Sequence, residues 1–317
     1  MIDRTGTAFG LCVHDERSRE AAPTAATGCG SRCVTIQQAS ADAAYAGWHE
    51  GSSSRAVEIR GAEDALELAV DVHPDLGYRL SGDGEPAYLV SRDGSMIRCV
   101  AGAAPPTGEQ RLLSGQALPL AALLQGVEVL HASAVAVGGH AIAFSGPSGA
   151  GKTSLAVRLA VRGHGFVTDD VLAVEPAGAG LLAHPGPGLA HLRPDVLRAL
   201  EREDRPGRPR RRPGPDGATV EIAAEREPLP LATLYLLRRA AGETALRRLD
   251  APDPRVLLGT SFNFLDRRHE RLAAHLDVCA RLARSVRVVE LTSAPGADLD
   301  AIAELVERDA AAPSEAV

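Results

Sequence analysis

Residues 146–153 constrain the fold of this chain more than any other segment of its 317 residues. They fit the phosphate-binding pattern G-x-x-x-x-G-K-[ST] at every fixed position. An apolar strand pattern precedes them, and an amphipathic helical pattern follows. A strand, a glycine-rich loop and a helix in this order predict an α/β domain in which the loop approaches phosphate groups. The loop residues are Gly146, Pro147, Ser148, Gly149, Ala150, Gly151, Lys152 and Thr153.

Lys152 is the only lysine among the 34 lysine and arginine residues of the chain. A compact ammonium reaches between phosphate oxygens, which a planar guanidinium does poorly. In a phosphate loop, Lys152 neutralises the β and γ oxygens and the Thr153 hydroxyl ligates Mg²⁺. Backbone N–H groups and the helix N-terminus surround the phosphates. We therefore expect ATP and Mg²⁺ as cofactors, with Ser154 also in the nucleotide-contacting set.

Asp169 and Asp170 follow Lys152 after the length of one helix and a returning strand. Two carboxylates beside a phosphate loop have two separate uses: one holds Mg²⁺, and the other accepts the proton of an attacking hydroxyl. The alternative is a solvated turn that carries two acids. Their position after the loop favours the catalytic interpretation.

Composition excludes several classes of protein. The net charge of −7 and the aromatic content of 3% argue against a nucleic-acid partner, because such surfaces are basic and use stacking side chains. No apolar run reaches the roughly 18 residues of a membrane span, and the first residues lack the apolar core of a signal peptide. We expect a cytoplasmic protein with no membrane partner. Cys29 and Cys33 are interpreted as thiols of a loose segment rather than a metal or redox site.

The pattern along the chain predicts four parts. Residues 1–53 are expected to be irregular, because they are rich in Ala, Ser, Thr and Gly and show little periodicity. Residues 54–127 are expected to form a small, mostly antiparallel β domain with a linker helix at 118–124, including a hairpin about Asp93 and Gly94. Residues 128–308 are the predicted P-loop domain, and residues 309–317 are a tail.

Within the P-loop domain we predict a series of elements from periodicity and capping residues. A helix over 265–284 is expected to bury one face that carries Leu265, Leu272, Leu276, Cys279 and Leu282. Residues 205–217 cannot be regular because prolines and glycines interrupt them. The other predicted elements are strands at 133–137, 140–145, 166–174, 231–238 and 285–291, and helices at 153–162, 194–204 and after Asp298.

Three segments together resemble the catalytic domain of HPr kinase/phosphorylase. They are His131 ahead of its strand, the loop at 146–153, and residues 162–170, which end in the paired aspartates. The resemblance covers about 130–175 well and 175–305 loosely, and residues 1–120 match no N-terminal domain of that family. The chain looks closer to the HPr-kinase-like proteins found with peptide natural-product pathways, lasso peptides among them.

The resemblance implies roles for particular residues. His131 would lie beside the two acids and the transferred phosphate; Asp169 would be the base and Asp170 the Mg²⁺-side acid, or the reverse order. Arg193, which precedes a helix start, is a candidate contact for the acceptor or a phosphate. Ser154 stands where the family commonly has glutamate, and no segment for docking HPr is recognisable. These two departures weigh against the reverse phosphorylase reaction and against HPr as the substrate, and the sequence does not decide whether the reverse reaction occurs.

The sequence thus predicts an α/β P-loop kinase of HPr kinase type behind a small β-rich N-terminal domain. It would transfer the γ-phosphate of ATP to a Ser or Thr hydroxyl, on a peptide or protein such as a ribosomal natural-product precursor. Two alternatives stay open: a kinase of a small metabolite, and a non-catalytic nucleotide-binding regulatory or scaffold protein. The resemblance also leaves room for a homo-oligomer, since hexamers are known in the parent family.

Overall fold

The computed structural model describes residues 5–17, 32–49, 51–61, 64–83, 87–100, 110–201, 209–211, 219–262 and 269–312. Contacts between Cα atoms divide the chain into two compact units, Met1–Val127 and Glu128–Val317. Each unit has its own sheet and buried residues. The division of the chain into the four parts given above stays a prediction.

The first unit is built on one eight-stranded sheet with the order β1-β2-β3-β8-β7-β6-β5-β4. The β2–β3 and β3–β8 pairs are parallel and the other pairs are antiparallel. The strands are β1 (Thr5–Ala8), β2 (Leu11–Asp15), β3 (Cys33–Ala39), β4 (Ser54–Arg60), β5 (Leu66–His73), β6 (Gly77–Ser81), β7 (Ala87–Val90) and β8 (Met96–Val100). The helices are α1 (Ala41–Ala44), α2 (Gln110–Leu112), a π-helix (Leu113–Ala117) and α3 (Leu118–Leu124).

The predicted irregularity of residues 1–53 is wrong for the part that the structure describes. β1, β2, β3 and α1 all lie there. β3 buries Val34 and Ile36 by period-two alternation, and the turn from β1 to β2 places Phe9 and Gly10 at φ 56° and 78°. The local pattern is weak because β3 is fixed by parallel pairing with β8, far along the chain. The predicted hairpin about Asp93 and Gly94 is confirmed by the antiparallel β7–β8 pair.

The second unit contains a nine-stranded sheet, in which β12-β10-β11-β18-β14-β13-β9 form one path and β20 joins β18 to β19. A three-stranded sheet has the order β15-β17-β16. The first strands are β9 (Glu128–Leu130), β10 (Ala132–Val137), β11 (His140–Ser145), β12 (Gly165–Thr168), β13 (Leu172–Ala177) and β14 (Gly180–His184). The later strands are β15 (Leu189–His191), β16 (Arg210–Arg211), β17 (Thr219–Glu221), β18 (Leu229–Arg239), β19 (Ala245–Arg248) and β20 (Arg287–Ser293).

Helices cover both faces of the larger sheet. They are α4 (Lys152–Val161), α5 (Pro194–Glu201), α6 (Pro254–Leu258), α7 (His269–Ser285) and α8 (Leu299–Ala311). Alternate residues of β11 enter two separate cores: Ile142 and Phe144 pack in the core that includes α4 and α8, and Ala141 and Ala143 in the core that includes α7. β11 is therefore buried on both faces. Packing on both faces holds the end of β11 in place, and the glycine-rich loop begins there.

Several predicted elements of this unit are confirmed, and others need correction. β10, β11 and α4 lie within one residue of their predicted bounds, and Asp298 caps α8 by accepting a hydrogen bond from Asp300 N. The single strand predicted over 166–174 is instead two strands, since Asp170 has φ 63°, which ends β12 before β13 begins. Residues 205–217 were expected to be wholly irregular, but Arg210 and Arg211 form β16 against β17; the remaining residues there, except 209, lie outside the described part.

The predicted buried face of the 265–284 helix is partly wrong. Leu272 and Leu276 are 45% and 56% exposed, whereas Cys279 and Leu282 are buried as expected. His275 and Val278 complete the buried side of α7. The apolar spacing is compatible with two adjacent helical faces, and packing against β9, β13, β14 and β20 selects the one centred on His275. Leu265 lies outside the described residues.

Candidate functional site

The glycine-rich loop connects the end of β11 to the start of α4. Gly146, Gly149 and Gly151 have φ of 153°, 78° and 104°, in the region that L-residues with a side chain rarely adopt. A Cβ on Gly146 would lie 2.7 Å from the carbonyl oxygen of Leu237 in β18. The first N–H groups of α4 have no partner inside the helix, so the loop presents donors at a positive helix end. This geometry suits an anion.

Lys152 is the first residue of α4, and its side chain is folded into the loop. It is buried, and Nζ donates a 3.0 Å hydrogen bond to the carbonyl oxygen of Gly146. Burial lowers the pKa of Lys152, while the nearby carboxylates of Asp170 and Asp169 raise it. The hydrogen bond of this buried ammonium goes to a neutral carbonyl, although two carboxylates lie nearby. The ammonium is therefore suited to exchange that carbonyl for a phosphate oxygen.

Asp169 directly follows β12, and its carboxylate accepts two hydrogen bonds. Oδ1 accepts from Ser133 Oγ at 2.8 Å, and Oδ2 accepts from the backbone N–H of His191 at 3.1 Å. Burial raises the pKa of Asp169 to about 6 and Asp170 adds to the rise, while the Thr153 side chain, the Ser133 hydroxyl and the His191 N–H oppose it. The carboxylate is therefore fixed in position beside the loop residue Thr153.

Asp170 points to solvent and lies beside His131. The Asp170 side chain is 52% exposed, and its Oδ1 is 3.5 Å from His131 Nδ1. The backbone of His131 is fixed by two hydrogen bonds, its N–H to Thr260 O at 2.6 Å and its carbonyl oxygen from Ser145 Oγ at 2.9 Å. Burial lowers the pKa of His131, Asp170 raises it and Lys152 lowers it further. Asp170 is therefore the more exposed of the two carboxylates, and Asp169 is half-buried.

The structure thus brings together the central residues of the sequence prediction: His131, Lys152, Thr153, Asp169 and Asp170 interact with one another or share partners. Of the other loop residues, Pro147, Ser148 and Gly149 are exposed, Ala150 is buried and Ser154 is half-buried on the first turn of α4. Arg193 is exposed two residues after His191, whose backbone contacts Asp169. Its role as a substrate contact stays a prediction.

Sequence reasoning did not select two residues of this site. Ser133 lies on β10, and its hydroxyl also accepts from the backbone N–H of Asp170 at 3.4 Å, so it contacts both acids. Arg239 ends β18, and its Nη2 would lie 3.0 Å from a Cβ placed on Gly151. Its Nη1 donates to Ser293 Oγ at 2.9 Å and to Ala294 O at 3.1 Å. The available signal for Arg239 was its position directly after the strand predicted at 231–238.

The donor set fits a magnesium ion. The hydroxyl of Thr153 and the carboxylate of Asp169 are hard oxygen ligands of the kind Mg²⁺ takes alongside phosphate oxygens. The Thr153 side chain lowers the pKa of Asp169, so a hydroxyl and a carboxylate lie near each other on the loop side. The residues therefore fit the ion that the loop motif implies.

Comparisons with known proteins add little to this geometry. No protein-family model matches the chain, and no curated protein matches it. Among solved structures, it matches the Hpr(Ser) kinase/phosphatase from Coxiella burnetii with 14% sequence identity and a TM-score of 0.33, over 58% of this chain and 96% of that chain. A TM-score this low supports no argument about fold or activity.

The lengths of the described helices can be compared with the length that a membrane-spanning helix needs. α7, with 17 residues, is the longest helix in the described part of the chain, and none of the described helices is both long and apolar enough to cross a membrane.

Proposed function

We propose that this protein is an ATP-dependent phosphotransferase that moves the γ-phosphate to a Ser or Thr hydroxyl. The observation that carries the proposal is that Lys152 of the loop lies near the carboxylates of Asp170 and Asp169, with His131 Nδ1 3.5 Å from Asp170 Oδ1. A loop that accepts phosphates and a carboxylate able to accept a proton are then joined in one site. Phosphoryl transfer needs little else from a protein, because its catalysis is mostly positioning and charge neutralisation.

Each loop group has a definite task in this proposal. The backbone N–H groups at the start of α4 bind the phosphate oxygens, and Lys152 releases the carbonyl of Gly146 to contact the β and γ oxygens. Arg239 lies against Gly151 and adds a second cation on the side of the loop next to β18. Two cations there stabilise the charge that develops on the departing ADP.

Asp169 and Thr153 form the side of the site that would hold Mg²⁺. When bound, the ion neutralises charge on the β- and γ-phosphates. Both oxygens of Asp169 already accept hydrogen bonds, from Ser133 and from His191 N, which fix its direction. A fixed, ionised carboxylate suits a ligand role better than the role of a base that must meet an incoming hydroxyl.

We therefore propose Asp170 as the base. The resemblance allowed either acid to be the base, and this is the second of those two assignments. The Asp170 side chain is exposed and so can be reached by an acceptor. As the acceptor oxygen forms its bond to the γ-phosphorus, its proton passes to an Oδ atom of Asp170. The bond from that phosphorus to the β-phosphate oxygen breaks, and ADP leaves. His131, 3.5 Å from Asp170, positions the carboxylate.

The two acids can be separated by their metal dependence. We expect Asp169→Asn to raise the Mg²⁺ concentration needed for half-maximal transfer, because a ligand is weakened. Asp170→Asn should leave nucleotide and Mg²⁺ binding near wild type and lower kcat at least about 100-fold, the lower range for a general base. If Asp170→Asn shifts the Mg²⁺ requirement while Asp169→Asn lowers only kcat, then Asp169 is the base and Asp170 is the Mg²⁺ ligand.

A peptide acceptor is our preferred substrate class, resting on the resemblance to kinases of precursor peptides. Mass spectrometry of peptides encoded beside this gene, after incubation with protein and Mg-ATP, should find one added phosphate on a Ser or Thr. Phosphate found only on free metabolites would instead favour a small-molecule kinase. Tight ATP binding without transfer to either class would favour a regulatory or scaffold protein and contradict the proposal.

A further inference from the structure

Two cysteines and a histidine meet on one face of the sheet in the first unit, far in sequence from the loop. Cys12 and His14 are two residues apart on β2, so their side chains lie on the same face of the strand. Cys33 begins β3, and the parallel register pairs it directly with Cys12. Neighbouring strands are about 4.8 Å apart, so paired side chains on one face lie close together.

The distances match those of a metal's ligands. One ligand atom from each residue lies within 4.8 Å of the other two, and Cys12 Sγ is 3.5 Å from His14 Nε2. Zinc–sulfur bonds of about 2.3 Å and zinc–nitrogen bonds of about 2.0–2.1 Å place tetrahedral S and N ligands about 3.6 Å apart. The Cys12–His14 pair already has this spacing, and small side-chain movements would bring in Cys33.

The oxidation state of Cys12 decides whether the three atoms can act together. Cys12 is disulfide-bonded in this structure. A sulfur in a disulfide is not a thiolate, and only the thiolate is a strong metal ligand. Reduction of that disulfide by a thiol or phosphine reductant, which supplies two electrons, would convert the Cys12 sulfur to a thiolate that can bind a metal.

We propose that the reduced protein binds Zn²⁺ through Cys12, His14 and Cys33. Two thiolates and an imidazole suit Zn²⁺, whereas Mg²⁺ and Ca²⁺ take oxygen ligands, so this site does not compete for the ion of the nucleotide loop. The three side chains fill three positions of a tetrahedral site. Water takes the fourth. Cys12 is buried and the other two are half-buried, which limits hydration of the ion.

The proposal is tested by metal titration of the full chain. Protein kept in a phosphine reductant and stripped of metal should bind one Zn²⁺ per chain in competition with a chromophoric chelator. Co²⁺ in its place should give the intense visible bands of a tetrahedral site and a sulfur-to-cobalt charge-transfer band. Wild-type protein with its disulfide intact should give neither. Equal binding with and without reductant, or Co²⁺ spectra that lack the sulfur band, would overturn the proposal.

Variants assign the ligands. Loss of a residue that only hydrogen-bonds a metal ligand weakens metal binding about 10- to 100-fold. We therefore expect Cys12→Ser and Cys33→Ser, which remove a ligand itself, to weaken Zn²⁺ binding by more than about 100-fold each. His14→Ala should weaken Zn²⁺ binding by at least about 10-fold. His49→Ala, an exposed histidine of the same unit, is the matched control and should bind as wild type. If a cysteine variant does not fold, His14→Ala with a wild-type circular dichroism spectrum still decides, since unchanged affinity there contradicts the site.

Discussion

Ser133 donates a 2.8 Å hydrogen bond from its hydroxyl to Oδ1 of Asp169. The two residues are 36 positions apart and meet because β10 and β12 pair antiparallel. The same hydroxyl accepts from the backbone N–H of Asp170. Ser133 therefore positions both acids of the candidate site, although no sequence pattern marks it.

Ser133→Ala is expected to shift the pH dependence of phosphate transfer. The serine stabilises the ionised form of Asp169, so its loss raises the pKa of Asp169 above about 6. A hydrogen bond to a charged group contributes about 1.5–3 kcal/mol, which corresponds to roughly one pH unit or more. Because transfer requires ionised Asp169, the acidic limb of the pH–rate profile should move upward by about that amount. Ser285→Ala, on α7, is the control, and an unmoved limb in Ser133→Ala would contradict this role.

Arg239→Ala should weaken nucleotide binding about 10-fold, the effect of losing roughly 1.4 kcal/mol of charge-assisted contact with phosphate. Its guanidinium lies against Gly151, so it is the cation other than Lys152 that we place at the loop. Arg238→Ala is the matched control, because Arg238 is the adjacent residue and pairs with Glu290 at 3.2 Å. Calorimetric titration with an ATP analogue measures both. Equal affinities for the two variants would remove Arg239 from the site.

Gly146→Ala should destabilise the protein more than Gly138→Ala. Both positions have positive φ, but a Cβ at 146 would also meet the carbonyl oxygen of Leu237 at 2.7 Å, whereas Gly138 has nothing within 4 Å. We expect about 1 kcal/mol for Gly138→Ala from the strained φ, and about 3 kcal/mol for Gly146→Ala from strain and the clash together. Denaturant unfolding measures both. Similar losses would mean that the loop relaxes away from β18.

His275 should make the stability of the protein depend on alkaline pH. It is buried, with Cys279 Sγ 3.6 Å from Nε2 and Glu128 Oε2 3.4 Å from Nδ1, and these two neighbours raise its pKa from 6.5 to about 9. A raised pKa means that protonated His275 stabilises the fold fully below 6.5, and that this contribution is lost as pH rises through about 9.

His275→Gln should therefore weaken the dependence of the unfolding free energy on alkaline pH. Wild type is expected to lose up to about 3 kcal/mol of unfolding free energy over that interval, from about 1.4 kcal/mol per unit of pKa shift. The variant should lose less, while His269→Gln, at the exposed start of α7, should follow wild type. Parallel curves for wild type and His275→Gln would show that His275 is not protonated in the folded state.

The sequence was sufficient for the parts of this fold that are encoded locally. The loop at 146–153 and its flanking strand and helix follow from glycine positions and periodicity within about 25 residues, and the structure has β11 and α4 there. Residues 5–15 and 33–39 were misjudged because their strands depend on pairing, β3 with β8 in particular.

The partners in the site could not be predicted for a similar reason. Ser133 meets Asp169 through the β10–β12 register, and Arg239 meets Gly151 through the parallel pairing of β11 with β18. Neither register is visible in one sequence. The exposed Leu272 and Leu276 show the same limit, since helical spacing alone does not choose between two adjacent faces.

Transfer of labelled γ-phosphate from ATP to an encoded peptide, in the presence of Mg²⁺, tests the central claim most directly. Wild type and Asp250→Asn, in which a highly exposed aspartate is neutralised, should label a Ser or Thr at equal rates. Asp170→Asn should bind ATP normally and transfer at least about 100-fold more slowly. Transfer by Asp170→Asn at the wild-type rate would contradict the assignment of the base, and no transfer by wild type to any peptide or metabolite would contradict the proposed activity itself.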